Sequence, residues 1–168
     1  MELPLPTASA SHSVHQAPLP AAARALTTLS RLDYHDCFLA EVDEVQERTA
    51  EEWARAVLEA APAATRAALS SGWSALGLQR GPTDDPRLVL GWEVRRSTPD
   101  FALLGAHSAL GLRGEVLFKR HHGELLFATF IHLENAAARG VWAATAPGHR
   151  QIVTRLLEQA ARRVSASG

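Results

Sequence analysis

The 168-residue sequence contains a single cysteine, Cys37, and a single lysine, Lys119. One cysteine excludes an intrachain disulfide and any C-x-x-C metal or redox motif. Cys37 lies in a strand-like run, so we interpret it as a small buried hydrophobic side chain rather than a nucleophile. This sparse use of cysteine fits a reducing compartment, and we expect a cytoplasmic protein.

The chain also lacks any apolar run that approaches the roughly 18–20 residues of a membrane span. No lysine or arginine stands near the start, where Glu2 is found, so the N-terminus is a poor secretory signal. The 17 basic and 18 acidic residues give a net charge of −1. We therefore expect no membrane insertion and no nucleic-acid binding.

Hydrophobic residues make up 46% of the chain and charged residues 21%, which is typical of a globular protein with its own core. Proline, alanine and serine dominate residues 1–30, a segment with too little apolar surface to offset its ordering entropy. The sequence thus predicts a flexible tail over residues 1–30 and one domain over residues 31–168. The sequence does not distinguish a monomer from a homodimer.

Five segments are predicted to be strands because β-branched, aromatic and other apolar residues alternate with polar ones, or form short apolar runs, between turn residues. The segments are Asp33–Val42, Leu88–Arg95, Phe101–Ser108, Leu112–Arg120 and Leu125–Leu133. The last of them is apolar on both faces, which predicts a strand that is covered on both sides.

Two short helices are predicted between the first and the second strand. Thr49 and Glu52 have the spacing of a capping box, so the first helix begins there. Pro62 ends this helix, and a second one covers about residues 63–76. Gly77 then provides the residue that commonly terminates a helix.

A long helix is predicted to close the chain, over roughly residues 136–164. Asn135 is a suitable N-cap for it. Its wide apolar stripe includes Trp142 and Leu156, which indicates packing against a sheet. Pro147 removes one helical hydrogen bond, so we expect a kink or a break near residues 144–148.

This order of elements predicts an α+β domain of the helix-grip type. A curved antiparallel sheet of about five strands is gripped by the C-terminal helix, which lies across the sheet, and two short helices close one end. Such an arrangement tends to leave a cavity between sheet and helix. Side-chain alternation along the strands then decides which residues face that cavity.

The element order, with the phrases Gly91-Trp-Glu-Val94 and Leu126-Phe-Ala-Thr-Phe-Ile131, resembles the START-like superfamily, also called the SRPBCC or polyketide cyclase/dehydrase-like group. The resemblance covers about residues 33–164 and includes small bacterial members with no assigned role. It implies a hydrophobic pocket between sheet and helix. Members bind lipids, sterols, plant hormones or polyketides, and some catalyse cyclisation or dehydration. No functional residue is shared across the group, so none is carried over by position.

Strand parity and the helix stripe predict a mainly apolar cavity with one histidine as its polar contact. A histidine in such a place can act as a general acid or base. The last strand is apolar on both faces, so alternation does not indicate which of its residues face the cavity. Phe130 is predicted there rather than Phe127. The six predicted ligand-binding residues are Trp92, His107, Phe118, Phe130, Trp142 and His149.

No catalytic motif stands out, and we expect no cofactor and no metal site. Three hypotheses stay open. The first is a module that binds a small apolar or aromatic molecule. The second is a cyclase/dehydratase-like enzyme that uses a cavity histidine or carboxylate. The third is a structural or interaction protein whose cavity is filled by side chains. A hydrogen-bonded polar pair inside the cavity would favour the second, and the cavity volume separates the third from the others.

Overall fold

The computed structural model describes residues 12–167, which form an α+β fold around one antiparallel sheet of eight strands. The strands are β1 (Val14–Gln16), β2 (Tyr34–Glu41), β3 (Leu78–Gln79), β4 (Leu88–Val89), β5 (Trp92–Ser97), β6 (Phe101–Ser108), β7 (Leu112–His121) and β8 (Glu124–Leu133). Their order across the sheet is β1-β2-β8-β7-β6-β5-β4, and β3 pairs with β6 beside this path.

The helices are α1 (Ala21–Arg24), α2 (Ala50–Leu58), α3 (Ala63–Ala75) and α4 (Ala136–Ser167), with a 3-10 turn at Val45–Glu47. The predicted capping box of α2 is confirmed, because Thr49 accepts from the Glu52 amide and Glu52 accepts from the Thr49 amide. Gly77 follows α3 with a φ of 68°, a left-handed conformation that suits glycine after a helix.

The predicted number of about five strands is wrong, because three very short strands escape a periodicity analysis. β1 has three residues, and β3 and β4 have two each. β4 and β5 were predicted as one strand, but a turn at Leu90 and Gly91 separates them, with φ values of 47° and 85°. Two positive φ values are typical of a tight hairpin turn. Leucine rarely adopts one, so the sequence hides the turn.

Residues 12–30 were predicted to belong to a flexible tail, but they lie against the sheet. β1 adds to the edge of β2, and Ala23 of α1 is fully buried. Leu19, Leu26 and Leu29 of this segment, with Leu32 just after it, pack on the outer face of the sheet, opposite the face that α4 covers. These leucines, spaced irregularly among small residues, supply the apolar surface that composition alone did not reveal. Residues 1–11 lie outside the described part.

Helix α4 runs unbroken from Ala136 to Ser167, so of the kink or break predicted near residues 144–148 the break does not occur. Asn135 caps it as predicted, since its side chain accepts from the Ala138 amide at 2.8 Å. Pro147 and Ala143, whose carbonyl loses its partner, are both exposed, and water can satisfy that carbonyl there. None of the described helices combines the length and the apolarity needed to cross a bilayer.

The core lies between the inner face of the sheet and helices α2 and α4. Trp53 of α2 is fully buried, and its indole N–H donates to the Val45 carbonyl at 2.9 Å. Leu156 and Leu157 of α4 are buried in the same core. A second apolar cluster, which includes Cys37, fills the outer face under residues 17–32. The sheet is therefore a middle layer, covered on both sides.

Candidate functional site

A cavity of about 270 Å³ lies between the inner face of the sheet and helices α3 and α4. Strands β7 and β8 form its floor, and the two helices form its walls. Most of the lining is apolar. The floor residues are Leu112, Gly114, Val116, Phe127, Thr129 and Ile131.

The cavity reaches the surface between α3 and α4. Gly72 of α3 and Gly148 of α4 both line it, both are exposed, and a Cβ added at either would meet no atom within 4 Å. Helix α4 packs across the sheet and against α2 and makes few contacts with α3, which leaves the space beside α3 open. Glycine costs about 1 kcal/mol relative to alanine inside a helix, so these two positions do not favour the helices they stand in.

Aromatic side chains stand at two sides of the cavity. On one side Trp73 and Trp92 meet edge to face, with ring centroids 5.4 Å apart. On the other side Trp142 lies 5.0 Å from Tyr34 and 5.3 Å from His149. Such rings offer flat apolar surfaces that suit a planar molecule.

The polar part of the site is a pair formed by Asp36 of β2 and His149 of α4. The Nε2 atom of His149 lies 3.1 Å from Asp36 Oδ2 and 3.0 Å from the hydroxyl oxygen of Thr129. Asp36 also accepts from the Tyr34 hydroxyl at 2.7 Å and from the Thr129 amide at 3.2 Å. Register explains the meeting, because Asp36 and Thr129 are directly opposite each other on adjacent strands.

The carboxyl of Asp36 is almost completely buried, yet it is held in its ionised form. Burial raises its pKa, but the hydrogen bond and charge of His149 and the hydrogen bonds from Tyr34 and Thr129 lower the pKa by more, and the net shift is downward. Burial raises the pKa of Tyr34 to about 12, so this phenol stays protonated and donates to Asp36. The site thus holds a buried carboxylate against a histidine.

Two further donors of the cavity lack a partner. The indole N–H groups of Trp92 and Trp142 are buried and have no hydrogen-bond acceptor among the described residues. An unsatisfied buried donor costs about 1–3 kcal/mol.

Three of the six predicted ligand-binding residues line the cavity: Trp92, Trp142 and His149. Phe118 faces the same side of the sheet, but it is buried against Phe127, 5.2 Å away between ring centroids, and does not reach the cavity. In this part of the sheet Phe127 is the phenylalanine that lines the space.

Phe130 and His107 were predicted to line the cavity, but both lie on the outer face of the sheet. Phe130 packs under the N-terminal segment, and β8 is apolar on both faces because that segment covers one of them. His107 lines a separate polar pocket on the outer surface together with Arg113 and His132. These three residues are neighbours in the register of β6, β7 and β8.

Asp36, Thr129 and Tyr34 were missed as site residues, although the sequence carries a signal for the first two. Asp36 has the same parity as Phe38, so a carboxyl stands on the apolar face of a strand. Thr129 stands in the same way between Phe127 and Ile131. A polar side chain at such a position has to find partners inside the fold.

The described residues contain no group of three or more histidine, cysteine or carboxylate side chains placed to hold a metal ion. Cys37 points away from the cavity, and burial raises its pKa to about 11, which keeps it a thiol. Comparison with protein-family models, with curated proteins and with solved structures gave no match.

Proposed function

We propose that this protein binds a small apolar or aromatic molecule in the cavity between the sheet and helix α4. The observation that carries the proposal is the cavity itself, an apolar space of about 270 Å³ that opens between two helices at exposed glycines.

The volume limits the size of the ligand. It exceeds the roughly 150 Å³ of an engineered cavity that holds benzene, and it is just below the roughly 300 Å³ at which pockets for drug-sized molecules begin. A molecule of one or two rings fits this range. The T-shaped ring pair of Trp73 and Trp92 and the indole of Trp142 then supply its contact surfaces.

The proposal includes the START-like, helix-grip interpretation of the fold. An antiparallel sheet with a long C-terminal helix across it agrees with that interpretation, and the cavity lies where the resemblance implies a pocket. The volume favours the binding module over a structural protein with a filled cavity.

Naphthalene is a suitable probe, since it has two rings and no polar group. Titration followed by calorimetry and by tryptophan emission should show saturable binding at one site. Gly114→Leu should abolish it, because a Cβ at this floor position meets Ile131, Leu112 and Trp92 at 3.4–3.9 Å and a longer side chain extends into the cavity. Gly114→Ala is the matched control and should retain binding. Absence of saturable binding to the folded wild type would overturn the proposal.

The Asp36–His149 pair favours a second candidate, an enzyme that moves a proton within the cavity. This is the cyclase/dehydratase-like alternative in its simplest form. A carboxylate that holds a histidine by one ring nitrogen leaves the other nitrogen to act as a base. His149 would take a proton from the carbon beside a carbonyl, the C–H electrons would pass to the carbonyl oxygen, and the enolate would then recover a proton from the same nitrogen.

Exchange of carbon-bound hydrogen tests this candidate. 2-Tetralone is a two-ring ketone, and NMR in deuterium oxide measures the loss of its α-proton signals. Wild-type protein should accelerate the exchange over buffer, and His149→Gln should not. Equal rates for the two proteins would remove the enzyme candidate and leave the binding module.

A further inference from the structure

We propose that the cavity selects ligands that carry a hydroxyl group, or another hydrogen-bond donor, positioned to donate to Nδ1 of His149. This inference rests on the proposed binding function and names the class of ligand: a phenol or an enol of one or two rings. It follows because Asp36 determines which ring nitrogen of His149 carries the proton.

The carboxylate determines which nitrogen of His149 carries a proton. An ionised carboxylate only accepts hydrogen bonds, so the contact of 3.1 Å between Asp36 Oδ2 and His149 Nε2 requires a proton on Nε2. The Thr129 hydroxyl oxygen, 3.0 Å from the same nitrogen, then acts as a second acceptor. In the neutral imidazole Nδ1 is therefore an acceptor with a free lone pair.

The Nδ1 atom is available to a ligand. It makes no hydrogen bond among the described residues, and the His149 side chain is 17% exposed. His149 lines the cavity between Trp142 and the floor residue Thr129. A ligand that fills the cavity therefore meets an acceptor on an otherwise apolar wall.

The remaining charged and titratable groups around His149 come from β2 and α4. Asp36 and Tyr34 face it from β2, and Arg150 of α4 donates to the Tyr34 hydroxyl at 3.4 Å. The inner face of β8 and helix α3 present no charged side chain to the cavity. Among the described residues Asp36 is the anion in contact with His149, and it is already bound to Nε2.

Three naphthalene derivatives test the inference at pH 8, at the top of the range in which histidine side chains normally titrate. 2-Naphthol donates a hydrogen bond, 2-methoxynaphthalene of similar shape only accepts one, and naphthalene does neither. Wild-type protein should bind 2-naphthol about 3- to 10-fold more tightly than 2-methoxynaphthalene, as expected for one neutral hydrogen bond. In His149→Gln this preference should vanish, because the glutamine amide still reaches Asp36 but places no acceptor where Nδ1 was.

Asp36→Asn offers a sharper test, because it should reverse the donor and acceptor roles of His149. The Thr129 amide donates to Oδ1, so an asparagine keeps its oxygen there and places its NH₂ at Oδ2, facing Nε2. That NH₂ donates to Nε2 and moves the imidazole proton to Nδ1. The variant should therefore bind 2-methoxynaphthalene at least as tightly as 2-naphthol.

The outcomes separate this inference from the binding function. If naphthalene itself does not bind, the proposed function fails. If all three compounds bind wild type with equal affinity, the function stands and the selection of a donor fails. A wild-type preference for 2-methoxynaphthalene would mean that Nδ1 carries a proton, and this also overturns the inference. A thermal melt of each variant confirms that the folded protein is compared.

Discussion

Asp36 and His149 are 113 positions apart in the sequence, yet Oδ2 of one lies 3.1 Å from Nε2 of the other. Antiparallel pairing places β2 beside β8, which brings Asp36 opposite Thr129, and helix α4 then crosses above them. One contact thus joins the helix to the sheet and supplies the polar group of an apolar cavity. The contribution of this contact to the free energy of unfolding can be measured separately from its role in ligand binding.

Asp36→Asn should destabilise the protein by about 1.5–3 kcal/mol at pH 7, the range for hydrogen bonds that involve a charged group. The pKa of Asp36 is lowered in the folded state, so its stabilisation is present above the unfolded pKa of about 3.9 and is lost as the pH falls through the folded value. Urea unfolding should therefore show a difference from wild type that is present at pH 5 and shrinks below about pH 4.

The control for this measurement is Asp84→Asn, which changes an exposed carboxyl in the loop before β4. It should alter the free energy of unfolding by less than about 0.5 kcal/mol at any of these pH values. An Asp36→Asn difference that stays the same down to about pH 3 would show that the charge of the carboxylate is not what stabilises the fold.

The long strands and helices could be predicted from the sequence because their signals are local. Alternation gives β5 and β7, the capping box gives α2, and Asn135 gives the start of α4. The three short strands could not be predicted, since two or three residues carry no period. Residues 12–30 were misjudged because Leu19, Leu26 and Leu29 become a hydrophobic cover only when the outer face of the sheet is there to receive them.

The site was predicted in part, for a similar reason. Trp92 and Trp142 lie on elements with one clear apolar face, so parity placed them correctly at the cavity. On β8 both faces are apolar, and the choice of Phe130 had no physical basis. Asp36 gains its role from Thr129 and His149, which are distant in the sequence, and only the fold brings them together.

The N-terminal segment should be part of the cooperative fold. Ala23 is fully buried against the outer face of the sheet, whereas Ala22 beside it is exposed. Ala23→Asp places a charge in an apolar cluster and should lower the melting temperature by more than about 5 °C. Ala22→Asp has the same chemistry at the same helix and should have little effect. Equal melting temperatures for the two variants would mean that α1 does not pack on the sheet.

Glu115 should anchor that segment from within the sheet. Its side chain is completely buried on the outer face, where it accepts from Thr27, from the Thr28 amide at 2.9 Å and from Arg95 at 3.0 Å. Glu115→Ala should cost about 2–4 kcal/mol, somewhat less than for a fully buried pair, because the guanidinium of Arg95 is partly exposed and can be hydrated.

Limited proteolysis provides a local readout for the same change. Glu115→Ala should expose residues 17–32 to cleavage before the rest of the chain. Glu93→Ala removes an exposed carboxylate from the same face of the sheet and should leave the cleavage pattern unchanged. If the two variants are cut alike, the carboxylate of Glu115 does not hold the segment in place.

Leu156 should be essential for the packing of helix α4 on the core. Its side chain is 3% exposed and contacts both the core and the cavity. Leu156→Asp removes its apolar contacts and buries a carboxylate without a partner, so the cost should be several kcal/mol and most of the protein should unfold. Gln151→Asp introduces the same residue on the exposed side of the helix and should remain folded. Circular dichroism and size-exclusion chromatography compare the two, and a monodisperse Leu156→Asp protein with the wild-type melting temperature would show that this face of α4 does not pack on the sheet.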